Sequence, residues 1–409
     1  MDLIEFRAEL LYVGMSLPFT VRDEAGRILL AKGQKIDSPL QLTGIQSRQK
    51  IFVEIEKTDA GVRAMMSGIS ELNRAGAPIK DFAKFLNVKQ VAKPEHKDAG
   101  NLSQQWGDVE SKLGGLLASA QSTGDFQRKV GVMDHVIVAL LNQDLSGSQF
   151  LLFNRAVTHF GGYSVLHSLL CAVLVNSLAK TFALSETERQ SLVSSALTMN
   201  LAMTHLQDIL ALQPHAPSPA QRHTIDAHPA MGRQILTQCG VTDALWLQVV
   251  EQHHTPQTGP ENLLDWPVAQ RMTRILQTVD RYTAAMSPRK SRAGRTARDS
   301  VRSVVLSVGD TKHDEVGTAL VGLLGLSPPG TYVMLANGET AVVVRRGLKP
   351  GGPWVASVLN RLGEPIAEPR LRDTSKAEFL VQSTLTATSV KVNLNLESML
   401  KLIPRQQLA

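Results

Sequence analysis

The chain has 409 residues, of which 43% are hydrophobic and 5% aromatic, with a formal net charge of +6. That length holds roughly two or three domains with cores of their own, and the composition excludes a disordered, collagen-like or disulfide-stapled chain. The two cysteines, Cys171 and Cys239, stand in apolar helical contexts and read as reduced thiols.

Residues 1–56 read as a small β-rich module. In it "SLPFTVRDEAGRILLAKGQKI" holds two short strands joined by Asp-Glu-Ala-Gly, and "KIFVEIEK" is a further strand. Residues 57–130 read as a polar, basic linker broken by Pro and Gly, followed by one helix over "WGDVESKLGGLLASA". From 131 to 326 the spacing is helical, through "VMDHVIVALLNQ", "YSVLHSLLCAVLVNSLAKTFA", "SETERQSLVSSALTM", "TIDAHPAMGRQILTQCG", "DALWLQVVEQHH" and "PVAQRMTRILQTVDRYTAAM". Ser185 with Glu188 is a capping-box signal and Gly240 a stop signal. The stretch "SSALTMNLAMTH" ends one of these helices and puts a polar Asn200 where burial should be deepest.

From 327 to 409 the period changes. "PPGTYVMLANGETAVVVRRG" predicts a hairpin with Asn337-Gly338 as a type I′ turn, and "PWVASVLN" and "EFLVQSTL" predict further strands. The expected fold class is mainly α: a helical bundle with a small β-rich N-terminal module and a β-hairpin C-terminal extension. No run of about 18 apolar residues occurs, and "MDLIEFRAELLYVG" carries acidic residues and no cleavage-type pattern. A cytoplasmic protein that does not enter a membrane is expected.

Chemistry concentrates in the helical region. His167 lies in a helix apolar nearly all round, as a hydrogen-bonded core residue or as a ligand. His253 and His254 are adjacent at a helix end, a solvated loop or a ligand pair, and His228-Pro229 alone would mark a helix start. Asp280 falls on a buried stripe with Ile275, Leu276 and Val279, where a carboxylate needs a cation or hydrogen bonds. Histidines and an acid from several helices of one bundle are a common way to hold metal ions. The run "SPRKSRAGRTAR" gathers Arg289, Lys290, Arg292, Arg295 and Arg298, either as a solvated loop or as a phosphate-binding one. A nucleic-acid role is not expected, because no aromatic residues interleave with these bases.

The order of these residues resembles the HD-GYP family, bacterial phosphodiesterases of cyclic di-GMP within the HD metal-hydrolase superfamily. "YSVLHS" (163–168) is similar to the family's Y-x-x-x-H-S helix, and His228, Pro229 and Gly232 correspond to its H-P-x-x-G. His253 and His254 match its His pair, and Asp280 with Arg289 and Arg292 resembles its last helix and the arginines after it. The β tail and the opening "VGMSLPFTVRDEAGRILLAKGQKI" resemble modules that flank such domains. The resemblance implies an HD-domain-like bundle over 131–326. It implies a site of two or three ions, of which His167, His228, His253, His254 and Asp280 could still hold a single divalent one (iron, manganese or zinc), and a nucleotide site at Arg289 and Arg292, with Lys290 beside them in the basic run.

The departures fall on the chemistry. Met199 and Asn200 stand in place of the family's His-Asp pair, Met203 in place of a lysine, and Thr255 in place of a glutamate; the Gly-Tyr-Pro loop is missing. An amide binds hard cations poorly and a thioether prefers soft ones, so one imidazole and the bridging carboxylate are lost. His205, just beyond the motif, is a candidate substitute. The implied function is signal transduction by a pseudoenzyme that binds cyclic di-GMP, a related nucleotide or a protein partner, with weak hydrolysis or none. The alternatives are an active phosphodiesterase with a rebuilt site, and a docking scaffold like the non-catalytic HDOD relatives.

Overall fold

The computed structural model describes residues 101–292, 294–305, 314–347 and 352–402, with residues 2–6, 11, 20–24, 26–31, 34, 36, 38–46 and 50–55 nearer the N-terminus. Of the expected linker and helix over 57–130, residues 57–100 lie outside the described residues. The chain divides into two compact units, Met1–Lys97 and Asp98–Ala409.

In the first unit β1 (Asp2–Phe6), β2 (Thr20–Asp23), β3 (Ile28–Leu30) and β4 (Ile51–Ile55) form an antiparallel sheet in the order β1-β4-β2-β3. The β2–β3 turn is closed by Gly26, whose N–H donates to Asp23 O at 2.9 Å. The sequence reading missed β1 and the short helix α1 (Pro39–Gln46).

The second unit is a helical assembly: α2 (Leu102–Ala118), α3 (Phe126–Gln143), α4 (Leu145–Thr158), α5 (Tyr163–Ala179), α6 (Glu186–Thr198), α7 (Thr204–Leu212), α8 (Pro219–Gln238), α9 (Ala244–Gln252), α10 (Val268–Met286), α11 (Ala297–Val305) and α12 (Glu315–Leu324), with a final α13 (Leu396–Leu402). α5 is buried on nearly every face, as its unbroken apolar sequence requires, and packs against α2, α3, α4, α6, α7, α10 and α12. The Ser185–Glu188 capping box opens α6. Asp134 of α3, fully buried, accepts both Arg189 guanidinium nitrogens at 2.7–2.8 Å, and Arg189 also donates to Asn176, so α3, α5 and α6 share one ion pair. α4 gave no helical period, because nearly all of it is buried; its start is fixed by Asp144, which accepts from Gly147 N. No single helix among the described residues is long and apolar enough to cross a membrane.

A second sheet follows: β5 (Tyr332–Leu335), β6 (Thr340–Arg345), β7 (Trp354–Leu359), β8 (Pro365–Asp373) and β9 (Val381–Leu385), antiparallel in the order β8-β7-β6-β5-β9. Tyr332, Val342, Val344, Ala356 and Val358 join the helical core, while Val333, Ala341, Val343 and Val355 form a small cluster on the other face. This period-two split is what a strand dictates.

The β5–β6 hairpin is present, but its turn is not type I′. Only Gly338 takes a positive φ, +84°; Asn337 does not, and its Oδ1 accepts from Glu339 N at 3.0 Å. The pairing of Leu335 N with Glu339 O leaves a three-residue loop, the form that ends in one left-handed glycine. At the helix–sheet seam, a Cβ on Gly330 (φ +84°) would lie 2.5 Å from Asn154 N, so only glycine admits this approach. Asn154 Nδ2 donates to Gly330 O at 3.1 Å across the same seam.

Candidate metal and ligand site

His228 sits in the interior of α8, not at a helix start, with Pro229 next to it inside the same helix. Proline lacks an N–H, so it leaves the carbonyl four residues back, that of Ile225, without its helical donor. The His228 ring takes that place: Nδ1 lies 2.5 Å from Ile225 O. His253 caps the end of α9, where the last carbonyls also lack helical donors, and its Nδ1 lies 2.6 Å from Val250 O. A carbonyl only accepts, so each Nδ1 carries the ring proton and each Nε2 presents a lone pair.

Those two lone pairs face each other, with His228 Nε2 and His253 Nε2 3.1 Å apart. Burial, joined by the charge of His254, lowers the His228 pKa to about 4 and that of His253 to about 3, so both rings are neutral near neutral pH. His254, exposed, completes the group: its ring centroid is 4.2 Å from that of His253, and one nitrogen of each ring lies within 4.8 Å of the others. Gln277 of α10 holds the turn that carries the pair, donating to Thr255 O at 2.6 Å and Gln252 O at 3.4 Å.

His167 and Asp280 form a second group. His167 Nε2 lies 2.8 Å from Asp280 Oδ1, with side chains 2% and 14% exposed. Burial alone would lower the His167 pKa, but Cys171 and the bond to Asp280 outweigh it and raise the value well above that of free histidine. Burial would raise the Asp280 pKa, yet His167, His253 and His254 hold its carboxyl far below the usual range. The five predicted ligands thus fall into two groups, and the charge of Asp280 is felt by both.

The basic run is a folded loop. Arg289 and Arg292 bridge each other through their backbones, Lys290 N donates to Ala211 O, and Arg295 N donates to Ala285 O. The Arg289 guanidinium lies over the Tyr163 ring and donates to its hydroxyl at 2.9 Å, and Tyr163 stacks on His167 at 5.7 Å. Asp208 anchors the start of α5 by accepting from Ser164 N and Oγ. Arg289 therefore reaches the His167–Asp280 pair through one aromatic ring. Arg292 donates to Ala284 O, and Lys290 is exposed.

Met199 and Asn200 are buried at the end of α6, where Gly232 of α8 stands against the Met199 backbone. His205 is exposed and does not turn into the core. Cys171 and Gln277 were missed. The spacing of Cys171 four residues after His167 was a visible signal, whereas the role of Gln277 depends on a turn with no sequence signature.

No protein-family model and no curated protein matches the chain. Among solved structures it is similar to Bd1817, a HDG"Y"P protein from Bdellovibrio bacteriovorus, at 12% identity over 78% of this chain and 97% of that one, with a TM-score of 0.41.

Proposed function

We propose that the helical unit binds a divalent metal ion through His228, His253 and His254, and that this pocket recognises a phosphodiester nucleotide of the cyclic di-GMP type with weak hydrolysis or none. The observation that carries the reading is the pair of neutral Nε2 atoms 3.1 Å apart. Lone pairs facing each other at that distance repel, and a cation between them turns repulsion into two coordinate bonds. Nitrogens about 2.0–2.1 Å from a tetrahedral ion lie about 3.3–3.4 Å apart, so the rings need to part by only a few tenths of an ångström. The donor set therefore fits a divalent ion. Backbone carbonyls already hold both outer nitrogens, as in built metal sites.

A bound ion supplies Lewis acidity for a phosphoryl oxygen. The chain supplies the rest: Asp280 places negative charge beside the histidines, and Arg289, Lys290 and Arg292 lie on a loop tied through Tyr163 to the His167–Asp280 pair beside them. The likeness of "YSVLHS", H-P-x-x-G and the His pair to the HD-GYP family supports the nucleotide class and a bacterial signalling role. Met199 and Asn200 support weak turnover, because neither replaces the missing imidazole or bridging carboxylate.

The test is metal analysis of the purified chain with calorimetric titration of cyclic di-GMP and a hydrolysis assay. Retained metal, nucleotide binding and slow or no turnover are expected. Absence of both metal and nucleotide would leave a docking scaffold, and rapid turnover would mean a rebuilt active site. Arg292→Ala should weaken nucleotide binding most at low salt and flatten its salt dependence with metal content unchanged; equal affinity at low salt would remove the arginine from the site.

A further inference from the structure

Three donors meet beside the histidine triad that no part of the proposed site uses together. His167 and Cys171 stand four residues apart on α5, on one face of the helix, and Asp280 reaches them from α10. His167 Nε2, Cys171 Sγ and an Asp280 oxygen all lie within 4.8 Å of one another. Cys171 is fully buried, and its Sγ lies 3.8 Å from His167 Nε2. Among the described residues His167 Nδ1 is buried with no hydrogen-bond partner, and the ring's polar contacts there are made on the side facing Cys171 and Asp280.

We propose that Cys171, His167 and Asp280 form a second cation site that takes a borderline-soft divalent ion such as zinc through a thiolate ligand. Geometry favours this over a simple core pair. Sulfur at about 2.3 Å, nitrogen at about 2.0–2.1 Å and oxygen at about 2.0–2.2 Å from a tetrahedral ion stand about 3.4–3.6 Å from each other. The N···S separation of 3.8 Å closes by a few tenths to reach that, and the N···O separation of 2.8 Å opens by about half an ångström. Three ligands leave a fourth position for water or a phosphate oxygen. Thiolate softness selects zinc over magnesium or calcium, so the site differs in metal preference from one built on carboxylates.

Loading exchanges protons for the ion and needs no oxidant or reductant. The Cys171 S–H proton and the proton between His167 Nε2 and Asp280 leave to solvent, and the freed lone pairs bond the cation. This site uses donors other than His228, His253 and His254, so it can fail while the proposed function stands.

The experiment titrates cobalt(II), a spectroscopic stand-in for zinc, into the reduced full-length chain. A thiolate-to-cobalt charge-transfer band in the near ultraviolet is expected, lost in Cys171→Ser together with one equivalent of bound cobalt. His253→Ala should keep the band while losing cobalt from the triad. The chain has two cysteines, so a band in Cys239→Ser can arise only from Cys171, which decides the matter even if Cys171→Ser does not fold. Cobalt bound with no such band removes Cys171 as a ligand and leaves the histidine site standing. A band that survives Cys171→Ser, or is lost in Cys239→Ser, overturns the assignment.

Discussion

Two histidine pKa values displaced in one direction and a third displaced in the other give the metal-free protein a characteristic pH response. His228 and His253 stay neutral in the folded state down to about 4 and about 3, whereas in the unfolded chain they take protons near their ordinary value of about 6.5. As pH falls through that window the unfolded state binds more protons than the folded one, so stability drops. His167 is raised, so its contribution is full below about 6.5 and is lost as pH rises through its folded value. Stability should therefore pass through a maximum near about pH 6.5, and His253→Gln should flatten the acidic side. Denaturant melts of chelator-treated protein across this range check it; an acidic limb equally steep in the variant would show that His253 is not held neutral. At the same scale, Met199→His with Asn200→Asp should raise metal content by roughly one equivalent, since it restores an imidazole and a carboxylate together. Each single change should do less. Metal analysis decides, and a folded double variant with unchanged content would mean that Asn200 does not mark a lost ligand position.

Helix α8 shows how an element's defect becomes a ligand's support. Pro229 costs the helix a hydrogen bond, and the Ile225 carbonyl left behind orients His228. Pro229→Ala would return an N–H to that carbonyl, so the helix should gain stability, up to about 3 kcal/mol if proline's full interior cost is relieved. The His228 ring would then lose its fixed proton position, and metal affinity should fall about ten- to a hundredfold. Paired denaturation and metal titrations test both halves, and unchanged affinity would show that the carbonyl does not set the tautomer. This coupling also marks the limit of what the sequence could tell. The His-Pro dipeptide was visible, but whether it opened a helix or sat inside one depended on the capping box formed by Ser218 and Gln221. The helices with a clear apolar stripe were legible, as α10 shows. α4 was not, because burial on nearly all sides erases the period. β8 was not among the predicted strands; it carries Pro365 and Pro369 and lies at the edge of its sheet, where a missing N–H is tolerated. The candidate donors were legible one by one. Their division into two groups was not, since it depends on which faces of α5, α8 and α10 meet.

The unit Asp98–Ala409 joins a helical assembly to a five-stranded sheet, and the nature of the join decides whether they fold as one body. Tyr332, Val342, Val344, Ala356 and Val358 belong to the same buried cluster as Trp106, Phe150, Phe153 and Trp246, so neither part closes its core without the other. At this seam Gly330 is pressed against Asn154 with φ +84°. Gly330→Ala would place a Cβ in that contact and a side chain in left-handed backbone, which alone costs about 1–2 kcal/mol. A single cooperative unit should respond as a whole: far-ultraviolet circular dichroism, dominated by the helices, and tryptophan fluorescence should shift together to lower denaturant, by at least that amount. The site should respond too, because α5, which carries Tyr163, His167 and Cys171, packs directly on α4, whose Asn154 meets Gly330. Cobalt or zinc affinity should therefore weaken near the transition and remain close to that of the parent chain under fully native conditions. Measuring both optical signals, hydrogen exchange and metal release along one denaturant series separates the alternatives. Loss of hydrogen-exchange protection in β5–β9 while the helical signal, the fluorescence of Trp106, Trp246 and Trp266 and metal release stay fixed would mean that the sheet is a separable appendage, and that the metal groups depend on the helices alone.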